Sequence, residues 1–288
     1  MPAAHRQPAH MIALSAWLLA VSPLPEMVRI RPGVFSAGST PHETRTAGYP
    51  DELARHEQPL RRVRIRAGFA IMRTEVTRGA FARFAAATGW KPDGPCSHLV
   101  DGPGNRWSAE WSTNWRNPGF VQDDRHPVVC VSLADAKAYA KWLSTETGRR
   151  FRLPTCDEWE YAARAGARGP RWWSGGAECG HANLSDRRRA QAHNGGSIDA
   201  ARFFACDDGH VFTAPVGSYR PNRWGLHDML GNVWEWTTDC VDSACVSAFD
   251  RGASWTNSPR YVRAATKHPE RADARTTVLG FRLVEDLR

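Results

Sequence analysis

The sequence lacks the short motifs that mark the common cofactor and metal sites. It contains no Cys-x-x-Cys pair, which argues against a zinc ribbon or a thioredoxin-like redox site. It has neither a His-x-x-x-His nor a His-Glu-x-x-His pair, so a helical metal site of that kind is excluded. Without a Gly-x-Gly-x-x-Gly or Gly-Lys-Ser/Thr loop, a nucleotide phosphate site is not expected either.

Lysine is scarce, because only four of the 38 basic residues are Lys and the rest are Arg. The chain has 288 residues, 30 acidic side chains, a formal charge of +8 and a pI near 9.4. The densest basic runs, residues 61–66 and 187–189, are short. In the first run Arg alternates with Val and Ile, which predicts a strand with one solvent-facing side rather than a nucleic-acid surface.

Long hydrophobic runs are also missing, with one partial exception at Met11–Val21. This apolar stretch is too short to span a membrane and has the length of a signal-peptide core. We therefore expect residues 1–26 to be a signal peptide or leader and residues 27–288 to form one domain. Export to the periplasm or secretion is the expected fate. The alternative is a cytoplasmic protein whose true start lies near Met27.

Disorder and long helical bundles are both excluded by composition. The 13 Trp and 11 Phe exceed what a disordered chain carries, whereas 24 Gly and 19 Pro require many turns and loops. Three helices are predicted from their capping residues: one begins after Thr77, one after Ser132 with Asp135, and one after Thr155 with Glu158.

Residues 167–225 show little regular patterning, and short apolar segments flank them on both sides. A long irregular stretch in a compact domain needs something to order it, and a bound cation is one such agent. Short strands, three modest helices and long loops together predict an α+β fold.

Cysteine occurs seven times, an odd number. An exported chain could form up to three disulfides and would leave one thiol over. Their spacing and loop placement permit bridges between Cys240 and Cys245 or between Cys179 and Cys206, although sequence does not fix the connectivity.

Four ordered segments resemble the formylglycine-generating enzyme, or sulfatase-modifying factor, family. They are MVRIRPGVFSAG, then HPVVCVSLADAKAYAKWL with FRLPTCDEWEYAARAG, then GLHDMLGNVWEWTTDC, and finally RGASW with GFRLV. The resemblance covers roughly residues 27–286. It implies an irregular, loop-rich C-type-lectin-like α+β fold with few helices and short strands.

The resemblance also implies one or two structural calcium ions, for which hard oxygen donors are required. The first site would use the side chains of Asp228 and Glu235 and the carbonyls of Gly231 and Val233. The second would use Asn183, the carbonyl of Leu184, Asp208 and the carbonyl of His210.

The chain departs from the family at the copper site. Family oxidases hold copper through two thiolates, spaced five apart after a Gly-Gly-Ser segment, and soft thiolates suit Cu(I). Alignment on Gly252-Ala253-Ser254 puts Asn257 and Val262 at these positions. Copper binding and copper-dependent sulfatase activation are therefore not expected, and whether the protein is an enzyme stays open.

The remaining resemblance concerns a substrate groove. Trp234 and Ser254 match positions that line it, and Asn257, Arg260 and Arg263 lie in the segment that would form its rim. A peptide or small-molecule ligand, a monomeric state and no nucleic-acid or membrane-spanning partner are expected. Three functions remain open: a periplasmic enzyme that modifies a peptide or small metabolite, a non-catalytic ligand-binding or display module of the same fold, and a structural or accessory partner in an exported complex.

Overall fold

The structure is a computed structural model that describes residues 24–100, 106–176, 178–193 and 201–287. The predicted leader core at Met11–Val21 lies outside these ranges. Among the residues that the structure describes, no helix combines the length and apolar character needed to cross a bilayer.

The three helices predicted from caps are present. The Thr77 side chain accepts a hydrogen bond from the Ala80 N–H, and Ser132 and Thr155 each form a reciprocal capping box. Such caps satisfy backbone N–H groups that the first helical turn leaves without partners. The helices are α3 (Arg78–Thr88), α4 (Leu133–Thr147) and α5 (Cys156–Arg164).

Three shorter helices were not predicted. The first begins at Thr40, whose side chain accepts a hydrogen bond from the Glu43 N–H, and ends at Gly48 in the left-handed conformation. These helices are α1 (Pro41–Ala47), α2 (Asp51–Ala54) and α6 (Arg187–His193), with one 3₁₀ turn at Glu178–Gly180. Together with the short strands they give the predicted α+β class.

The first four-stranded sheet joins the N-terminal and C-terminal parts of the chain. Its strand order is β1-β4-β12-β7, and every neighbouring pair is antiparallel. The strands are β1 (Met27–Ile30), β4 (Phe69–Met72), β7 (Phe151–Arg152) and β12 (Val284–Asp286). Two separate two-stranded antiparallel sheets pair β2 (Gly33–Ala37) with β3 (Arg61–Ile65) and β5 (Cys96–Val100) with β6 (Arg106–Glu110).

The second four-stranded sheet carries the candidate site. Its strand order is β10-β9-β8-β11, and only β11 runs parallel to its neighbour. Within the register, Asp250 lies opposite Trp236 on one side and opposite His268 on the other. The strands are β8 (Trp234–Cys240), β9 (Ser247–Arg251), β10 (Lys267–Arg271) and β11 (Leu279–Gly280).

An aromatic cluster fills the core between α3, α4 and the C-terminal segment. Phe81 is fully buried, and its ring stacks on Tyr139 and meets Phe281 edge to face. Edge-to-face and stacked pairs add about 0.5–1.5 kcal/mol each beyond the area they bury. The core therefore forms from residues on helices that are far apart in sequence.

Several buried arginines bind buried carboxylates. Arg282 makes two hydrogen bonds of 2.7 Å to Glu235. Glu160 bridges Arg164 and Arg251 at 2.8 Å each. A buried charge is costly unless it is paired. The contact of Glu160 on α5 with Arg251 on the second sheet therefore holds these two elements together.

Six of the seven cysteines form disulfides: Cys96–Cys130, Cys179–Cys206 and Cys240–Cys245. Both predicted bridges are present, and the bridge from Cys96 to Cys130 is an addition. The remaining thiol, Cys156, is buried at the start of α5.

Candidate functional site

A groove of about 1030 Å³ opens over one face of the second sheet. Trp234 on β8 and Asn257 in the loop after β9 line it. The Trp107 side chain on β6 and the Tyr261 side chain add aromatic surface to the walls. The groove therefore combines aromatic side chains with a polar floor, which is the usual composition of a ligand site.

The floor contains a carboxylate–imidazole pair. Asp250 on β9 is only 2% exposed, and its carboxylate lies 3.2 Å from Nδ1 of His268 on β10. The His268 ring packs against Trp234 with 5.4 Å between ring centroids. Because Asp250 holds Nδ1, Nε2 is the nitrogen that a ligand in the groove can approach.

The two groups change each other's protonation. Burial raises the pKa of Asp250 to about 6, against the opposing effect of His268. Burial disfavours charge on His268, but the Asp250 carboxylate outweighs it and raises the pKa of the imidazole. An imidazole oriented by a buried carboxylate is able to exchange a proton with a bound group.

The segment that carries copper thiolates in family oxidases has another role in this chain. The side-chain amide oxygen (Oδ1) of Asn257 accepts hydrogen bonds of 2.8 Å from both the backbone N–H and the hydroxyl of Ser254. Ser254 is fully buried below the groove, and Val262 is fully buried as well. Asn257 thus stabilises a turn through the oxygen that would otherwise be its metal donor.

The two arginines predicted for the rim bind other parts of the protein. Arg263 is 2% exposed, and its guanidinium makes hydrogen bonds of 2.8 and 3.1 Å to Glu57. Its Nε donates to the carbonyl of Arg260, whose own Nε lies 3.2 Å from the Ser258 hydroxyl. Arg263 therefore joins the loop after α2 to the C-terminal segment.

No thiol lines the groove among the described residues. Cys240 and Cys245, the cysteines nearest in sequence to the groove segment, are bridged to each other. Burial raises the pKa of the Cys156 thiol to about 11, so this side chain stays protonated at neutral pH. The donors present do not fit a Cu(I) site, because Cu(I) prefers accessible soft thiolates.

In the loop predicted to hold the first calcium, Asp228 forms a carboxylate pair with Glu75, which lies between β4 and α3. Asp228 and Glu75 are both buried, and each has one carboxylate oxygen without a hydrogen-bond partner. Burial raises the pKa of Glu75, and the neighbouring Asp228 carboxylate raises it further. Glu235, in contrast, already binds Arg282 and accepts a 2.8 Å hydrogen bond from the Trp159 indole.

The loop predicted to hold the second calcium is folded around Asp208. Its carboxylate accepts hydrogen bonds from the backbone N–H groups of Leu184, at 2.6 Å, and His210, at 2.9 Å. Burial raises the pKa of Asp208 to about 7. Asn183 is fully buried, and its side-chain oxygen has no hydrogen-bond partner.

The two loops touch each other. The Asn232 N–H donates to the Asn183 carbonyl at 2.9 Å, and a Cβ at Gly231 would lie only 2.3 Å from that same oxygen. Gly231 also has a φ of +86°, a conformation that favours glycine. The close approach therefore requires glycine and brings the carbonyls of one loop beside those of the other.

Four residues of these sites were missed by the sequence analysis: Asp250, His268, Glu75 and Asp186. Asp186 lies close to Asp208, and the Cys179 sulfur nearby is in a disulfide and offers no thiolate. No local motif marks these residues, because each pair forms between segments that are distant in sequence. A strand pattern at 247–251 was the only available signal for Asp250.

Comparison with known proteins identifies the fold and the family. The "Sulfatase-modifying factor enzyme 1-like domain" matches residues 19–287. A formylglycine-generating enzyme of Streptomyces coelicolor is 35% identical over 90% of this chain and 88% of that protein. An "Inactive C-alpha-formylglycine-generating enzyme 2" of Bos taurus is 33% identical over 58% of this chain and 54% of its own length.

Among solved structures, PvdO from Pseudomonas aeruginosa is similar at a TM-score of 0.72 and 31% identity, covering 91% of this chain and 95% of PvdO. The architecture is thus the irregular C-type-lectin-like fold that the resemblance implied. The chain belongs to the formylglycine-generating enzyme, or sulfatase-modifying factor, family.

Proposed function

We propose that this protein binds a peptide or small metabolite in the groove over Trp234 and modifies it without copper–thiolate chemistry. The observation that carries the proposal is the groove itself: it keeps Trp234 and Asn257 on its walls, and no thiol lines it among the described residues. In place of a metal, the floor offers the Asp250–His268 pair.

The donor chemistry supports the copper-free part of the proposal. A copper-dependent oxidase needs a thiolate pair that holds Cu(I) and leaves a position for the substrate thiol. Val262 has no donor atom, and the Asn257 oxygen already accepts two hydrogen bonds from Ser254.

The experiment incubates the full-length protein with a Cys-x-Pro-x-Arg peptide, with and without Cu(I), and measures the aldehyde product by mass. We expect no aldehyde in either condition. Copper-dependent turnover that is lost on Cys245→Ser would overturn the proposal and show a thiolate site in this chain.

A second measurement tests whether the groove binds ligands. Trp234→Phe removes an indole from the groove, whereas Trp111→Phe removes one that is 67% exposed and does not line it. Ligand binding should weaken in the first variant and stay unchanged in the matched control. Equal effects of the two changes would argue against the groove as the binding site.

We also propose that one or two calcium ions stabilise the two touching loops. At the first loop, the partnerless oxygens of Asp228 and Glu75 suit a divalent cation, and the carbonyls of Gly231 and Val233 are further hard donors. Glu235 retains acceptor capacity beyond its bonds to Arg282 and Trp159. The calcium supplies positive charge where two buried carboxylates otherwise repel each other.

At the second loop, the donors would be Asn183, Asp208 and the carbonyls of Leu184 and His210. The buried, partnerless oxygen of Asn183 supports this assignment, since buried polar groups in native proteins normally have a partner. Asp186 is a further carboxylate close to Asp208.

The alternative function is a non-catalytic ligand-binding or display module of the same fold. The likeness to a relative named inactive, together with the replaced thiolates, favours it. A ligand that is bound in the groove and recovered chemically unchanged after long incubation would support the binding module over the enzyme.

Export to the periplasm or outside the cell is the proposed location. Three disulfides are compatible with an oxidising compartment, in which such bridges form and persist. Mass spectrometry of non-reduced protein from the native host tests this proposal, and seven free thiols would contradict it.

A further inference from the structure

The groove has a charge opposite in sign to that of the whole molecule. The chain has a formal charge of +8, yet four carboxylates line the groove against only two arginines and one histidine. The acidic lining residues are Asp93, Asp250, Glu270 and Asp273, and the basic ones are Arg271, Arg275 and His268.

Both arginines are neutralised by neighbouring carboxylates. Arg271 makes hydrogen bonds of 3.0 and 2.7 Å to Asp273. The Arg275 guanidinium lies 2.8 Å from Asp135 and also contacts Asp93. The charge of each Arg is therefore offset by a carboxylate, which reduces its attraction for an anionic ligand.

The remaining charged groups are Asp250, His268 and Glu270. His268 and Glu270 are two residues apart on β10, so their side chains share one face of the strand, and both line the groove. Asp250 is 2% exposed, and its Oδ1 makes no hydrogen bond although His268 Nδ1 lies 3.2 Å away. Within the described residues, no Arg or Lys forms an ion pair with Glu270.

We propose that the groove recognises a ligand that carries a protonated amine, whose ammonium group pairs with Glu270 beside the Asp250–His268 pair. This inference rests on the proposed function in one respect, namely that the groove is a ligand site. It adds the chemical class of the ligand.

Three features of the groove suit an amine. Glu270 offers an ionised acceptor for a charge-assisted hydrogen bond, which is stronger than a neutral one. Trp234, Trp107 and Tyr261 offer ring faces that attract cations. Nε2 of neutral His268 can accept a hydrogen bond from the ammonium group, because Asp250 holds Nδ1.

The test uses three probes that share one ring and differ in charge: benzylamine, benzyl alcohol and benzoate. Their binding to the full-length protein is measured by calorimetry at neutral pH. We expect benzylamine to bind about tenfold more tightly than either of the others, which corresponds to one charge-assisted pair. Benzoate binding equal to or tighter than benzylamine would overturn the proposal, as would no measurable benzylamine binding.

Variants locate the amine within the groove. Glu270→Gln should weaken benzylamine binding about tenfold and leave benzyl alcohol binding unchanged, because only the charged pair is lost. Glu146→Gln, which removes an exposed carboxylate on α4, is the matched control and should change neither. Equal loss for both probes in Glu270→Gln would contradict pairing at Glu270.

The pH dependence tests the role of His268. The charged groups that act on this imidazole are Asp250, Glu270 and His56, and β8 adds only the uncharged Trp234. Benzylamine affinity should rise as His268 loses its proton, above the ordinary histidine pKa of about 6.5. The rise should disappear in His268→Gln, and a rise that persists there would contradict the assignment.

The outcomes separate this inference from the proposed function. If benzoate or benzyl alcohol binds best and Trp234→Phe weakens that binding, the groove is still a ligand site and only the amine class is wrong. If benzylamine binds with unchanged affinity in both Trp234→Phe and Glu270→Gln, the groove is not the site, and both proposals fail.

Discussion

The role of Arg263 in the structure differs from the role that its position in the sequence suggested. It lies in the segment that would form a groove rim, yet its guanidinium is buried against Glu57 and its plane covers the Tyr49 ring at 4.4 Å. The five donors of a guanidinium suit this role, because they satisfy a carboxylate and a backbone carbonyl at once. The same residue type serves as surface charge elsewhere in this Arg-rich chain.

Replacement of Glu57 by Gln tests whether this pair supports the fold. The change leaves the Arg263 charge buried with only Glu43, at 3.3 Å, to balance it. We expect the free energy of unfolding to fall by about 3 kcal/mol, measured by urea denaturation. Asp123→Asn, which alters an exposed pair with Arg125, is the control and should have little effect. Equal stabilities of the two variants would contradict a structural role for the pair.

Asp250 determines the protonation of His268, and Asp250→Asn tests this directly. The carboxylate raises the pKa of the imidazole, so the variant should show a lower His268 pKa in an NMR titration. Because the folded pKa is raised, the pair contributes stability below the ordinary histidine pKa, and this contribution is lost as pH rises through the raised value. An unchanged His268 pKa in the variant would mean that the pair does not form in solution.

The sequence predicted individual groove residues only in part. Trp234 lines the groove from the first position of β8, and Asn257 lines it from the loop that follows β9. Asp250 and His268 meet only because β9 and β10 pair across a 15-residue connection, residues 252–266. No local pattern encodes such a contact, so the pair required the folded chain.

At the scale of elements, cap residues were the strongest sequence signal. The Thr155 hydroxyl accepts from the Glu158 N–H at 3.1 Å, and the Glu158 carboxylate accepts from the Thr155 N–H at 2.8 Å. Both bonds join residues that are three positions apart. A capping box can therefore be predicted from the local sequence alone. The helices α1 and α2 were missed because seven and four residues give no periodic apolar stripe.

Thr155→Ala should lower the free energy of unfolding by about 1 kcal/mol, because it removes one half of the box that begins α5. Thr145→Ala is the matched control, since its hydroxyl bonds back to the Lys141 carbonyl within α4 and Ala is the better helix former. The comparison uses urea unfolding of both variants. A larger loss in the Thr145 variant would show that the cap contributes little.

The two touching loops give a prediction about calcium. A ligand present at a hundredfold its Kd adds about 2.7 kcal/mol to stability, so excess chelator should lower the melting temperature, and added calcium should restore it. Asp228→Ala should melt lower than the wild type and respond less to both reagents. An unchanged melting temperature on chelation, in both proteins, would contradict calcium in these loops.

The whole molecule combines a family fold with a groove that no thiol lines among the described residues. The chain has long irregular segments. Its fold is stabilised by three disulfides, by buried arginine–carboxylate pairs and by an aromatic core. The fold class and the family were predictable from ordered motifs, because these encode loops that the fold requires. The acidic character of the groove was not predictable from the sequence, because the chain as a whole is basic. The carboxylates that neutralise the groove's arginines come beside them only in the folded chain.

Metal analysis of the purified, full-length protein tests the central claim most directly. The protein is incubated without reductant in excess copper and calcium, passed through a desalting column, and assayed by mass spectrometry of the elements. We expect one or two equivalents of calcium per chain and copper well below one equivalent, since no thiol lines the groove among the described residues. Stoichiometric copper without calcium would contradict it.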